Sequence, residues 1–371
     1  TYDPENYQDY DQEIFNRNLP IWSTYEPGST FKIVTFSAAL EEGVMKLEDR
    51  FFDPGYAIVD GVRIRDWKAG GHGDQSMLEV IMNSCNPGFI ELGQRLGKEK
   101  LFEYIRAYGF NEKTGVDMLG ESQGIIFNPD NIGNVELATS SFGQGNSVTP
   151  IQLVTAVSAA VNGGNLMQPY IVKRMLHPYT NEVLYEREPS IKRRVISEET
   201  SETMRYALEM VGAQGSGKGA YIDGYRVGGK TGTAQKAKDG AYISGEYILS
   251  FVGIAPMDDP QLVVYVAIDN PKNTVQYGGV VAAPIARSIL AEALPYIGVE
   301  PREEQIEKKY LWTDTKYVTV PDFVGKEPKE IESSYLYNIE YHGEGTKVIS
   351  QQPAAFSRTI EGGTVRLYLG N

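Results

Sequence analysis

Apolar positions fall first into helical spacing. From Ser29 to about Glu42, Ile33, Phe36, Ala39 and Leu40 share one face and Gly43 supplies a C-terminal cap, which predicts a helix. It follows a polar, Tyr-rich stretch, residues 1–28, that closes in the turn signal Glu26-Pro27-Gly28. A second helix is predicted from about Met77 to Cys85. Asn86-Pro87-Gly88 reads as its breaker, and Phe89 to Leu96 as the start of the next helix. Residues 148–163 read as a buried, Ala-rich helix with Thr149 as N-cap and Pro150 in its first turn. Later the period changes. Tyr225 to Gln235, Tyr247 to Ala255 and Gln261 to Ile268 are rich in Val, Ile and Tyr and read as strands, before residues 280–295 return to an Ala-rich helix. Many helices and a short late antiparallel meander predict a mixed α/β (α+β) domain with helices packed on a sheet.

Residues 300–316 are charged, lack an apolar face and read as a linker. Past them, short strands are expected around Val318-Thr319-Val320, Lys347-Val348-Ile349 and Thr364 to Leu369, with one helix near Pro328 to Leu336. The division expected is therefore 1–299 for the main domain, 300–316 for the linker and 317–371 for a small α+β module.

Composition narrows the function. The 371 residues carry 35 basic and 49 acidic side chains, a net charge of −14, with 41% hydrophobic residues. That is enough to bury a sizeable core, and the acidic balance speaks against nucleic acid or an anionic lipid surface as partner. A single cysteine, Cys85, excludes an internal disulfide, and three histidines leave little room for a His-rich metalloenzyme. No apolar run approaches the roughly 18 residues of a membrane-spanning helix. The opening Thr1-Tyr2-Asp3-Pro4 reads as the middle of a domain.

Three short motifs carry candidate chemistry. In Ser29-Thr30-Phe31-Lys32, helical spacing places the lysine amine beside the serine hydroxyl. A desolvated lysine can serve as the base that a serine nucleophile needs, and a helix N-terminus favours a developing oxyanion. Alone the pattern is weak, because a serine cap followed by a surface lysine looks the same. Lys230-Thr231-Gly232-Thr233 is rarer. It sits in a strand whose edge could pair with an extended peptide, with a cation and a hydroxyl for a carboxylate. Ser84-Cys85-Asn86 ends a helix, where Ser84 could relay a proton and Asn86 could hold a substrate amide.

In that order, with Gly71-His72-Gly73, Gly143-Gln144-Gly145, Thr149-Pro150-Ile151-Gln152-Leu153 and Gly228-Gly229 before Lys230, the motifs resemble the transpeptidase domain of class B penicillin-binding proteins over roughly residues 1–297. The tail segments Val320-Pro321-Asp322-Phe323-Val324-Gly325, Val348-Ile349-Ser350-Gln351-Gln352-Pro353 and Gly362-Gly363-Thr364-Val365-Arg366-Leu367 resemble a PASTA module. One such module at the C-terminus leans toward the stage V sporulation protein D group.

The resemblance implies a penicillin-binding-protein transpeptidase/β-lactamase-like fold, an antiparallel sheet flanked by helices with a helical subdomain. It implies a D,D-transpeptidase acting on D-Ala-D-Ala stem peptides of peptidoglycan and acylated by β-lactams. Ser29 would be the nucleophile, Lys32 the base, Ser84 and Lys230 the proton network. The backbone N–H groups of Ser29 and Thr233 would form the oxyanion hole. Asn86, Thr231, Gly232 and Thr233 would bind substrate. It further implies work on the extracytoplasmic face of a bacterial membrane, beside a membrane glycosyltransferase, through an N-terminal anchor absent from this chain. A D,D-carboxypeptidase or β-lactamase-type hydrolase is the alternative, although no glutamate motif for deacylation is evident. A wall-synthesis scaffold with secondary catalysis is another.

Two further patterns stand outside these motifs. Gly212-Ala213-Gln214-Gly215-Ser216-Gly217-Lys218 nearly spells a nucleotide-binding loop, but Gly219 stands where a Mg²⁺-binding hydroxyl is required and a helix, not a strand, precedes it. It reads as a flexible loop. Asp66, His72, Asp74 and Cys85 bring carboxylate, imidazole and thiol into one region, a donor set that suits structural zinc. No cofactor is required for the catalysis implied.

Overall fold

The computed structural model describes residues 17–238, 241–309, 317–332, 334 and 336–370. Residues 1–16 of the Tyr-rich start and the last part of the expected linker, 310–316, lie outside these. The described residues fall into two compact units that divide between Lys309 and Tyr310.

In the first unit the chain makes one tight 3₁₀ turn, Gly28–Phe31, and runs on into helix α1, Lys32–Glu41, whose side chains from Lys32 to Ala39 are all buried. Strand β1, Arg50–Asp53, pairs antiparallel with β2, Gly73–Ser76. Helix α2, Met77–Asn83, opens on a reciprocal cap between Ser76 and Glu79 and closes on Ser84, which adopts the left-handed conformation at φ 56° and ψ 40°. Helix α3, Asn86–Ala107, begins at once, with Cys85 as its N-cap. Asn86-Pro87-Gly88 is thus the first turn of α3, not the loop expected. Proline suits that position because its missing N–H would lack an intrahelical partner anyway.

Helix α4, Pro150–Val161, has the expected Thr149 cap, completed by Gln152. Helix α5, Glu198–Ala213, leads to the sheet: β3, Gly228–Lys238, β4, Ala241–Ala255, and β5, Leu262–Asp269, antiparallel in the order β5-β4-β3. Helix α6, Gly278–Tyr296, closes the unit. Strand alternation sorts the sheet between two cores. Phe251, Val264 and Val266 face Ala282, Ala286 and Leu290 of α6. Val252, Ile254 and Val263 face the opposite core, which holds Met204 and Leu208 of α5 and the packed faces of α1, α3 and α4. A bidentate pair between Arg226 and the buried Glu209, with contacts of 2.7–3.1 Å, fixes the entry to β3 against α5.

The charged stretch after α6 does not leave the unit where the sequence suggested. Arg302 donates to the Gly224 carbonyl at 2.7 Å and Lys309 to the Ala213 carbonyl at 3.0 Å. The second unit pairs β6, Tyr317–Thr319, with β9, Arg358–Ile360. It builds a three-stranded sheet from β7, Asn338–His342, β8, Lys347–Gln352, and β10, Thr364–Gly370, in the order β7-β10-β8. Val320, Phe323, Val348, Val365 and Leu367 fill its core. Where a helix to Leu336 was expected, the described residues form one 3₁₀ turn, Pro328–Glu330.

Candidate active site

The 3₁₀ turn that carries Ser29 lies directly against β3. A Cβ placed on Gly28 would sit 3.2 Å from Ala234 Cβ and 3.4 Å from the Thr233 carbonyl oxygen, and one on Gly232 would lie 3.1 Å from Thr30 Cγ2. The same Gly232 atom would approach Ser250 Oγ to 2.2 Å, so only glycine lets the strand close on both neighbours. Ser29 and the Lys230–Thr233 motif are brought together in this way. Among the described residues β3 is the edge strand of its sheet, so its outer side has no neighbouring strand.

Lys32, fully buried at the first position of α1, donates from Nζ to the Ser84 carbonyl at 2.8 Å, to Ser84 Oγ at 3.2 Å and to Asn86 Oδ1 at 2.6 Å. Lys230, equally buried, reaches the same Ser84 Oγ at 2.7 Å. One hydroxyl thus joins two lysines. Two ammonium groups so close repel by about 3 kcal/mol at an effective dielectric near 20, so the arrangement favours at most one charge. Burial pushes the Lys32 amine down to about 8, against the opposing pull of the Asp66 and Cys85 charges. Burial first, then the neighbouring Lys32 charge, hold Lys230 well below the usual lysine range. The left-handed turn at Ser84 aims its side chain at both amines, and such backbone costs about 1 kcal/mol or more for a residue other than glycine.

Behind Ser84 and Asn86 lies a second cluster. Single ligand atoms of Asp53, Asp66, His72 and Cys85 all fall within 4.8 Å of one another. His72 Nδ1 stands 2.9 Å from Asp53 Oδ2 and also 2.9 Å from Asp66 Oδ2. One imidazole nitrogen has one proton to give, and Asp66 Oδ2 is buried without a hydrogen-bond partner. Asp66 Oδ1 accepts the Asn86 backbone N–H at 2.8 Å, which couples the cluster to the asparagine that Lys32 reaches. Burial, foremost, raises the Cys85 thiol well above its ordinary range. Burial opposes a charge on His72, yet the two carboxylates beside it, Asp66 and Asp53, outweigh it and raise the imidazole.

Asp74 is not part of this cluster. It pairs with the exposed Arg50 at 2.6 Å on the outer face of the β1–β2 ribbon, opposite Phe52. The period-two pleat decides the matter, for it turns Asp74 and Phe52 outward and the next residue of β1, Asp53, inward. Sequence reading missed Asp53 because Asp-Pro-Gly looks like a turn, and its Oδ1 does accept the Gly55 N–H at 2.7 Å.

Comparison with known proteins agrees with this geometry. The family model described as the penicillin binding protein transpeptidase domain matches residues 1–291. The stage V sporulation protein D of Bacillus subtilis (strain 168) is 57% identical over 370 residues, which cover 99% of this chain and 57% of that protein. The chain thus spans little more than half the length of that relative. Penicillin-binding protein 3 of Mycobacterium tuberculosis, solved with ampicillin, superposes with a TM-score of 0.71 at 31% identity, covering 77% of this chain and 65% of that one. The unliganded transpeptidase domain of penicillin-binding protein 3 from Burkholderia pseudomallei gives a TM-score of 0.69 at 31% identity, covering 77% of this chain and 84% of the other.

Proposed function

The chain belongs to the penicillin-binding protein transpeptidase family, and on that premise we propose that it is a serine D,D-transpeptidase that cross-links peptidoglycan stem peptides through an acyl-enzyme on Ser29. The likeness to the sporulation relative supports a role in sporulation wall synthesis. The observation that carries the reading is the double lysine on Ser84 Oγ beside the serine turn.

A neutral Lys32 takes the Ser29 proton as Oγ attacks the carbonyl of the penultimate D-Ala. The oxyanion rests on the backbone N–H groups of Ser29 and Thr233. The proton returns to the departing D-Ala amine through Ser84 and Lys230. Asn86 holds the substrate amide, and Thr231, Gly232 and Thr233 receive its C-terminal end along the β3 edge. An amine of a neighbouring stem then takes the acyl group and frees Ser29. A β-lactam carries the same acyl and carboxylate groups and stops at the acyl-enzyme.

Intact-mass measurement after penicillin treatment should find one long-lived adduct, mapped to Ser29. An adduct on another serine, or rapid turnover, would defeat the assignment. Because the base must be unprotonated, the acylation rate should fall about tenfold per pH unit below the Lys32 value near 8 and level off above it. A rate that is flat from pH 6 to 9 would remove Lys32 from the role.

The cluster of Asp53, Asp66, His72 and Cys85 would hold a structural divalent cation. Zinc suits its mixed carboxylate, imidazole and thiolate donors. The unpartnered Asp66 Oδ2 and the two carboxylates facing one imidazole nitrogen support this. The ion would anchor the segment bearing Ser84 and Asn86 and takes no part in acyl transfer.

The second unit would be a PASTA module. Ending the chain at residue 312 keeps the contacts of Arg302 and Lys309, so the acylation rate should stay within about twofold of the full chain. Loss of acylation in a folded, shortened protein would contradict that independence. Attachment to a membrane on its extracytoplasmic side, next to a glycosyltransferase, completes the proposal. No helix among the described residues is long and apolar enough to cross a membrane.

A further inference from the structure

The Gly212–Lys218 segment is not the flexible loop its composition suggested. Gly215 and Gly217 are buried. A Cβ on Gly215 would lie 2.7 Å from the Met82 carbonyl oxygen of α2, and one on Gly219 would lie 2.5 Å from the Gly279 carbonyl oxygen of α6. The Ser216 N–H donates to the same Met82 carbonyl at 2.9 Å, just ahead of Ser84. A Cβ on Gly279 would in turn lie 2.5 Å from the Ser216 carbonyl oxygen and 3.3 Å from Thr231 Cγ2. The segment is thus wedged between the parts of the fold that carry Ser84 and Thr231.

At Gly215 and Gly219 such packing admits only glycine, and glycine loses more conformational freedom on ordering than any other residue. A segment with glycine at 212, 215, 217 and 219 therefore needs a tie from outside. Residues 301–309, read from their composition as part of a linker, supply it. They form neither helix nor strand, yet they run back along the segment and meet it in reverse order. The Arg302 N–H donates to the Gly224 carbonyl at 2.7 Å, and the Arg302 guanidinium pairs with Asp258. The Tyr221 hydroxyl accepts from Gln305 Nε2 and donates to the Ile306 carbonyl at 3.2 Å. Gln214 Nε2 donates to the Glu307 carbonyl at 3.3 Å, and the Lys309 N–H donates to the Ala213 carbonyl at 3.0 Å.

We propose that residues 301–309 form a positioning strap of the active site, which ties both ends of the Ala213–Gly224 segment and thereby holds Ser84 and Thr231 in place for acylation of Ser29. The inference rests on the transpeptidase reading. The strap acts through the segment and not on the reacting atoms. Misplacing a reacting group by about 1 Å costs about a hundredfold in rate, so a tie remote from the chemistry can still set its speed.

Variants of the full chain test it. Lys309→Pro removes the N–H that reaches Ala213, whereas Lys309→Ala keeps it. Tyr221→Phe removes the hydroxyl held between Gln305 and Ile306. Acylation by a fluorescent penicillin, followed well below the melting temperature, gives the limiting rate constant and the adduct stoichiometry of each. Hydrogen exchange gives the protection of the Ser216 N–H. A neutral hydrogen bond sustains a loss of about two- to tenfold. That loss in the limiting rate constant is expected of Lys309→Pro and of Tyr221→Phe, and about tenfold or more of the two combined. Stoichiometry should stay that of wild type, because a positioning defect slows every molecule and inactivates none. The Ser216 N–H should exchange faster while the amides of β4 keep their protection. Lys309→Ala should match wild type. Unchanged rate constants, even with a lower melting temperature or stoichiometry, would make residues 301–309 a stabilising tail and overturn the proposal. Faster exchange throughout the sheet, or Lys309→Ala as slow as Lys309→Pro, would overturn it too. If wild type takes no adduct at Ser29, the transpeptidase reading fails and the strap loses its role with it. If wild type reacts and the double variant matches it in rate, the strap alone is refuted.

Discussion

Replacing Lys32 by methionine should slow acylation of Ser29 by about 10²–10⁴-fold, the usual contribution of a positioned general base. Methionine keeps most of the buried volume, so the fold can be checked separately by its melting temperature. Lys32→Arg should lose as much, because a guanidinium retains the charge and never gives up its proton. That pair of variants separates a base from a mere cation. If arginine sustained acylation, the amine would be needed for charge and hydrogen bonds to Ser84 and Asn86 alone. A time course of adduct formation with a fluorescent penicillin reads both.

The second large effect concerns the cluster behind Ser84. Protein purified without chelator should carry one zinc, and stripping it should lower the melting temperature of the first unit by about 10 °C. A site held at about a thousand times its dissociation constant contributes about 4 kcal/mol, and each kcal/mol moves a domain of this size by about 2–4 °C. Acylation should slow as well, because Cys85 lies between Ser84 and Asn86 and Asp66 holds the Asn86 N–H. Cys85→Ser and Asp53→Asn should copy the chelator, whereas Asp74→Asn should not, since Asp74 faces solvent with Arg50. Metal-free protein by elemental analysis, together with unchanged melting of Cys85→Ser, would leave an ordinary buried thiol.

What the sequence disclosed follows from where local signals were unopposed. The Thr149 cap, the Ala-rich helices and the Val-rich strands are short-range patterns, and each lies where it was expected. The reactive motifs were legible because Ser29 and Lys32 are neighbours on one helical turn. The meeting of Lys32 with Ser84 and Lys230 is a tertiary fact, reached through resemblance. Errors arose where a residue type has two uses. Asn86-Pro87-Gly88 can break a helix or begin one. A Cβ on Gly88 would come within 2.5 Å of Val80 Cγ1, so glycine serves helix packing there, not a turn. The glycines around Ser216 looked like freedom and prove to be close packing. Asp74 and Asp53 differ only in strand parity, and the ends of short strands are hard to set from sequence.

The left-handed turn at Ser84 has a consequence for how this protein can change. Glycine or asparagine would relieve that backbone, yet neither offers the hydroxyl shared by the two lysines. Position 84 is therefore a place where selection for heat resistance and selection for catalysis point to different amino acids. A screen that rewards thermal survival alone would tend to discard the serine, while one that demands wall synthesis must retain it and recover the lost stability elsewhere.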